Sequence, residues 1–212
     1  MPQMKRRTLF AALASAVPVM AADDPSAVSI ATGRTGQTAW QFIGTINQNG
    51  LDMSMSGYLT AAAGITETQL FSDPSVRSAD TARFKITATG KLTGRNVAPP
   101  LVVLNATATT TISFSGDAQD YSSAGIATLE STLQTVVDVT AAGKGQFSGS
   151  GDYVRTWADN FTLDGVDYRF GESNRVLYLT MSGDGTLSDP AGPVATIVVA
   201  GRATIGDYLP QE

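Results

Sequence analysis

The 212-residue chain contains neither cysteine nor histidine. Without cysteine there is no disulfide, no thiolate nucleophile and no thiolate metal ligand. Without histidine there is no Ser-His-Asp or Cys-His machinery, no HExxH zinc site, no blue-copper site and no histidine-held haem. Any catalysis has to run on Asp, Glu, Tyr, Lys or Arg. Tryptophan is scarce too, at two residues. Long apolar runs are also missing, since the stretch from Leu9 to Met20 is too short to span a bilayer.

That stretch follows Lys5, Arg6 and Arg7 and is followed by Ala21 and Ala22, then by Asp23 and Asp24. A charged head, a short apolar segment and a small-residue cleavage site form the layout of a bacterial export signal. Pro18 suits such a segment better than a retained helix. Lys5-Arg6-Arg7-Thr8-Leu9-Phe10 also resembles a twin-arginine signal, which implies transport of an already folded protein. The expectation is a cleavable signal over residues 1–22, read by the export machinery, and a mature chain in the periplasm or outside the cell. Residues 23–37 are expected to be loose apart from a short strand at Val28 to Ile30, with one domain over 38–212.

Removing Lys5, Arg6 and Arg7 leaves 11 basic residues against 19 acidic ones, a net charge of −8. Nucleic-acid binding needs a basic stripe, and the mature lysines are only Lys85, Lys91 and Lys144. That partner class is excluded. About 190 residues is enough for one domain to bury its own core without a cofactor or cross-link.

What remains is a period of two. Asn49-Gly50 reads as a tight hairpin turn. A turn on those two residues sets Ile46 against Met53, Gly44 against Met55, Phe42 against Gly57 and Trp40 against Leu59, all on one apolar face. Phe84, Ile86, Ala88, Gly90 and Leu92 alternate with Lys85, Thr87, Thr89 and Lys91. Val102, Leu104, Ala106, Ala108, Ile112 and Phe114 alternate with Asn105, Thr107, Thr109, Thr111 and Ser113. Further strands are expected at Ala127–Val139, Gly145–Trp157, Leu177–Leu187 and Ile197–Ile205, making eight long strands. A small hairpin, Phe161–Phe170, should turn at Asp164-Gly165, and Ile65–Phe71 should hold one helical turn.

Pro74, Pro99, Pro100, Pro190 and Pro193 fall between strands, where no ladder donor is lost. Glycines 44, 57, 90, 149, 151, 183, 185 and 201 fall within them, where they let long strands bend around a closed wall. The fold expected is all-β, a single-domain antiparallel barrel, with a β-sandwich or jelly roll as the alternative. Because the rings lie on the inner face and Thr, Ser and Lys on the outer, the barrel is expected to be soluble, with no stable membrane insertion.

Interior residues Trp40, Phe42, Met53 and Met55 are the candidate lining of a cavity for a small apolar or amphipathic molecule. Tyr153, Arg155, Trp157, Asp159 and Phe161 would share a face if their strand ran on unbroken, with Arg155 placed to orient an acidic group. Ser182-Gly183-Asp184-Gly185 with Asp189 lacks the spacing of a calcium loop. Tyr121, with the polar stretch from Asp117 to Gly125, reads as a rim. Glu130 and Asp138 lie eight residues apart on one strand, about 26 Å by strand rise, too far for one glycosidase centre. No metal, cofactor or catalytic residue is assigned.

Barrels similar in architecture include lipocalin-like carriers and the cyclase-type allene oxide cyclase-like and dirigent-like proteins, although none of their sequence motifs is present here. The readings that follow are a binder of a small apolar molecule, a cyclase or isomerase working by confinement with a tyrosine or carboxylate, and a structural or surface-interaction module.

Overall fold

The structure is a computed structural model that describes residues 26–118, 120–121, 125–141, 143–187 and 194–210. The expected signal, residues 1–22, lies outside them.

Among the described residues eleven strands and one helical turn follow one another as β1 (Val28–Ile30), β2 (Thr38–Asn49), β3 (Asp52–Ala62), α1 (Glu67–Leu70), β4 (Phe84–Ala98), β5 (Leu101–Phe114), β6 (Gly125–Ala141), β7 (Lys144–Ala158), β8 (Asn160–Leu163), β9 (Val166–Phe170), β10 (Arg175–Leu187) and β11 (Val194–Tyr208). Eight of them close into an antiparallel barrel in the order β10-β11-β2-β3-β4-β5-β6-β7, and β7 pairs back onto β10. The barrel is therefore the architecture adopted, and the sandwich is not.

Alternation puts Phe42, Ile46, Met55, Leu59, Ile86, Ile112, Leu129, Leu179 and Ile197 in a single buried cluster. Residues one step along, such as Ser54, Ser56, Thr87, Thr89, Thr107 and Thr132, are exposed. A polar exterior around a greasy interior is the reverse of a lipid-facing barrel. Eight strands enclose a space that side chains can just fill. The glycines help them fill it: a Cβ at Gly201 would lie 2.5 Å from the Phe42 ring, so that ring occupies the room the glycine leaves.

The β2–β3 hairpin keeps the expected faces but slips by two residues. Asn49 pairs with Asp52, leaving Gly50 and Leu51 as the turn, so that Gln48 faces Met53, Ile46 faces Met55 and Gly44 faces Gly57. Gly50 has φ 64° and leads the turn, the position glycine takes in a type II′ hairpin. The Gln48 amide donates to the Gly50 carbonyl at 3.1 Å. A shift of two preserves which side chains point inward, whereas a shift of one would have inverted them.

The remaining strands plug one end. β1, β9 and β8 form a three-stranded sheet, with β1 parallel to β9. The β8–β9 hairpin turns at Asp164 and Gly165, both at positive φ (52° and 78°), and sets Phe161 against Tyr168. Phe161 packs on Phe84 and Phe114 at ring separations of 5.6 and 4.7 Å, and Phe170 packs on Trp40 at 5.3 Å. The stretch expected to be loose is held down beyond β1. Ile30 is fully buried, Ala31 donates to the Ala63 carbonyl, and Gly36 and Gln37 bond the backbone of Ile205.

Candidate functional site

Near mid-height the barrel contains a cavity of about 30 Å³, room for about two waters at the 10–15 Å³ each requires. Seven of the eight barrel strands contribute to it. Met53 and Met55 of β3, Met181 of β10, Leu133 of β6 and Ile46 of β2 supply an apolar wall, while Ala88, Gly90 and Ala108 leave the open space.

Two buried hydroxyl-bearing residues, from the strands on either side of β6, line this wall. Tyr153 of β7 is 2% exposed and lines the cavity. Burial pushes its phenol up to about 12, against an opposing pull from Thr110, so it is protonated throughout the physiological range. Thr110 of β5 is 1% exposed, and its Oγ1 has no hydrogen-bond partner. Although the two hydroxyls influence each other, they do not complete a bond. The indole Nε1 of Trp40, whose ring lies 5.9 Å from that of Tyr153, is likewise buried without a partner.

The residues of the two expected ligand-binding groups, the interior lining and the shared face from Tyr153 onward, are thus redistributed. Met53, Met55 and Tyr153 come together on the cavity wall. Trp40 and Phe42 are buried beside it, the first under the plug and the second over Gly201. Arg155 is 4% exposed but donates to the carbonyls of Phe170 and Gly171 at 3.1 and 2.7 Å, which makes it a clasp for the plug. Trp157 is 44% exposed on the outside. The expected shared face breaks at a bulge between Thr128 and Leu129 on the paired strand, which opposes Trp157 to Thr128 and Arg155 to Leu129. Alternation restarts one residue late, so Ala158 points inward and Asp159 is exposed.

Thr110 and Met181 were not singled out from the sequence as site residues. The signal for Thr110 was parity: it stands at an inward position between Ala108 and Ile112, where a polar residue is out of pattern. Ser131 and Thr135, also inward and buried, break the pattern on β6 in the same way. Ser131 is satisfied by the Ala108 carbonyl at 3.0 Å.

On the exterior, Glu130 is exposed and accepts from Thr109 at 2.9 Å, and Asp138 is exposed farther along the same strand. Ser182 and Asp184 are exposed ladder positions of β10; Asp189 is outside the described residues. Among the described residues no group of three or more His, Cys, Asp or Glu could hold a metal ion. Tyr121 donates to the Ala82 carbonyl and carries Lys85 over its ring at 4.1 Å, which ties this side chain to β4 and the segment leading into it; residues 119 and 122–124 of the expected rim lie outside the described residues. Set against known proteins, the chain matches no family model, no curated protein and no solved structure.

Proposed function

We propose that the mature protein is exported and that its barrel interior takes up a small apolar or weakly amphipathic molecule. The observation that carries this reading is the cavity itself, an apolar space bounded by Met53, Met55 and Met181 with the buried hydroxyl-bearing residues Thr110 and Tyr153 on its wall. Methionine is unbranched and adapts to irregular partners, so the space can enlarge by movement of three flexible side chains. At about 30 Å³ the occupant is small, or it displaces those side chains.

The test is native mass spectrometry of protein recovered from its own host, with N-terminal sequencing of the same sample. A retained small molecule and a chain beginning after Ala21 or Ala22 are the expected results. Recovery of a full-length chain from the cytoplasm, with no added mass, counts against both halves of the reading.

A structural or surface-interaction role is the second reading, favoured by how completely side chains fill the barrel. The cyclase or isomerase reading has less support. Among the described residues Tyr153 is the one ionisable residue lining the cavity, and a phenol pushed up to about 12 by burial is a hydrogen-bond donor but no useful base at neutral pH.

A further inference from the structure

We infer that the cavity is selective for an uncharged molecule bearing one hydrogen-bonding group, an alcohol or a ketone, held by Thr110 and Tyr153. The inference rests on the reading of the barrel as a binder of small molecules and names the chemistry of what it binds.

Thr110 provides the first argument. A buried hydroxyl with no partner is costly, and Thr110 Oγ1 is in that condition on the wall of a cavity large enough to admit another polar atom. Valine would have filled the same volume without the cost. Tyr153 adds a second hydroxyl to the same space. Together they offer a donor and an acceptor to a single group on the occupant, whereas the rest of the described wall is aliphatic and thioether surface apart from Ser54, an exposed residue of β3.

Charge provides the second argument. Among the described residues no Asp, Glu, Lys or Arg lines the cavity. The buried cation two residues beyond Tyr153, Arg155, is directed at the Phe170 and Gly171 carbonyls. An ionised carboxylate or ammonium would therefore lose its water without gaining a counter-charge, a large penalty. The phenol does not supply an anion, because its burial keeps it protonated. A fatty acid or an amine is excluded on this ground; a neutral alcohol is not.

The chain provides its own reporters. Of its six methionines, Met53, Met55 and Met181 line the cavity, while Met1, Met4 and Met20 lie in the leader and serve as references. The full chain, carrying ¹³C-labelled methionine methyls, is titrated with three probes of equal heavy-atom count: 1-butanol, n-pentane and propionate at pH 7. Butanol and pentane should both move the three cavity methyls, and propionate should not. Thr110→Val should weaken butanol roughly three- to tenfold, the worth of one net hydrogen bond, while leaving pentane unchanged or tighter. Tyr153→Phe, which keeps the ring, should do the same. Equal responses of butanol and pentane to both substitutions would overturn the polar subsite and leave the apolar reading intact. Propionate binding at the cavity methyls would overturn the neutrality of the occupant. If none of the probes moves those methyls, the small-molecule reading falls together with the subsite.

Discussion

Gly57 is the residue at which two strands of the wall come too close for a side chain. A Cβ there would lie 2.3 Å from the Ile43 carbonyl oxygen and 2.7 Å from the Gly44 Cα, both backbone atoms that cannot swing aside. Gly57→Ala should cost about 1–3 kcal/mol, the range for overpacking a filled interior, read as a lowered denaturation midpoint. Gly116 is the control, because a Cβ there meets nothing within 4 Å. Gly116→Ala should change stability by less than about 0.5 kcal/mol. Equal losses at the two sites would mean that glycine's backbone freedom, and not close strand approach, sets the cost.

Tyr153 makes a separate prediction about alkali. Its folded value is raised to about 12 from an ordinary 10. Between those values the native state holds a proton that the unfolded state has released, so stability falls as pH rises. One such group contributes a slope of about 1.4 kcal/mol per pH unit. Tyr121 is raised to about 12 as well, by burial and by Asp117, and adds to the same decline. Tyr153→Phe should reduce the decline in stability between pH 10 and 12 by about half, leaving the Tyr121 share, without altering the profile below pH 9. Denaturant titrations at a series of pH values measure this, and an unchanged slope would show that the phenol is not shielded as its position implies.

At the scale of elements, the plug depends on arginines that leave solvent to hold backbone carbonyls. Arg155 holds Phe170 and Gly171, and Arg169 donates to the Ala158 carbonyl at 2.9 Å, whereas Arg175 at the start of β10 ties barrel strand β11, through Gly206 and Tyr208, to Glu172 and Thr35. Charged hydrogen bonds of this kind are strong, and removal leaves buried carbonyls unpaired. Arg155→Leu should cost about 2–4 kcal/mol. Amide exchange should accelerate first in β8 and β9, with the barrel strands less affected. Uniform acceleration would mean that plug and barrel unfold as one unit.

The same elements show what was legible beforehand. Asp164-Gly165 marks the β8–β9 turn through local chemistry alone, and both the turn and its facing pair, Phe161 and Tyr168, agree with the structure. Asn49-Gly50 marks a turn that forms one residue later, because glycine can lead a hairpin turn as readily as close it. The inward residues were right in either case, since alternation has a period of two. Trp157 was not legible, because a bulge inverts a strand's faces without leaving a residue type behind as its sign. The parallel pairing of β1 with β9 joins residues about 140 apart in the chain, and such a contact depends on tertiary packing and not on local pattern. Arg155 looked like a ligand-facing cation for a similar reason: its carbonyl partners lie on a hairpin whose docking the strand itself does not announce.

For the molecule as a whole, closure is the controlling fact. The first barrel strand, β2, pairs with the last, β11, from Thr38 opposite Thr204 to Asn49 opposite Val194. Until residue 204 and its neighbours are available, β2 and β10 are open edges with unpaired backbone groups, which invite aggregation. A chain stopped after Leu187 also lacks the buried Ala195, Ile197, Val199, Ala203 and Ile205. It should fail to give a monomeric, strand-rich species by circular dichroism and size-exclusion chromatography. A stable seven-stranded monomer would show that closure is dispensable.

Closure also bears on the proposed route of export. Contacts between the two ends of a long sheet form slowly, because the loop entropy is paid before the pairing rewards it. The barrel can thus complete only after synthesis has passed β11, and a route that carries folded cargo would accommodate that order of events. Arg6 and Arg7 are the residues such a route would read. Replacing both by lysine keeps the positive head that an ordinary secretory signal needs while removing the paired guanidinium groups. Fractionation of the host should then find the Arg6→Lys, Arg7→Lys protein retained in the cytoplasm, folded and uncleaved. Export at the normal level would assign the leader to the unfolded-chain route, and the barrel would then have to close after crossing the membrane.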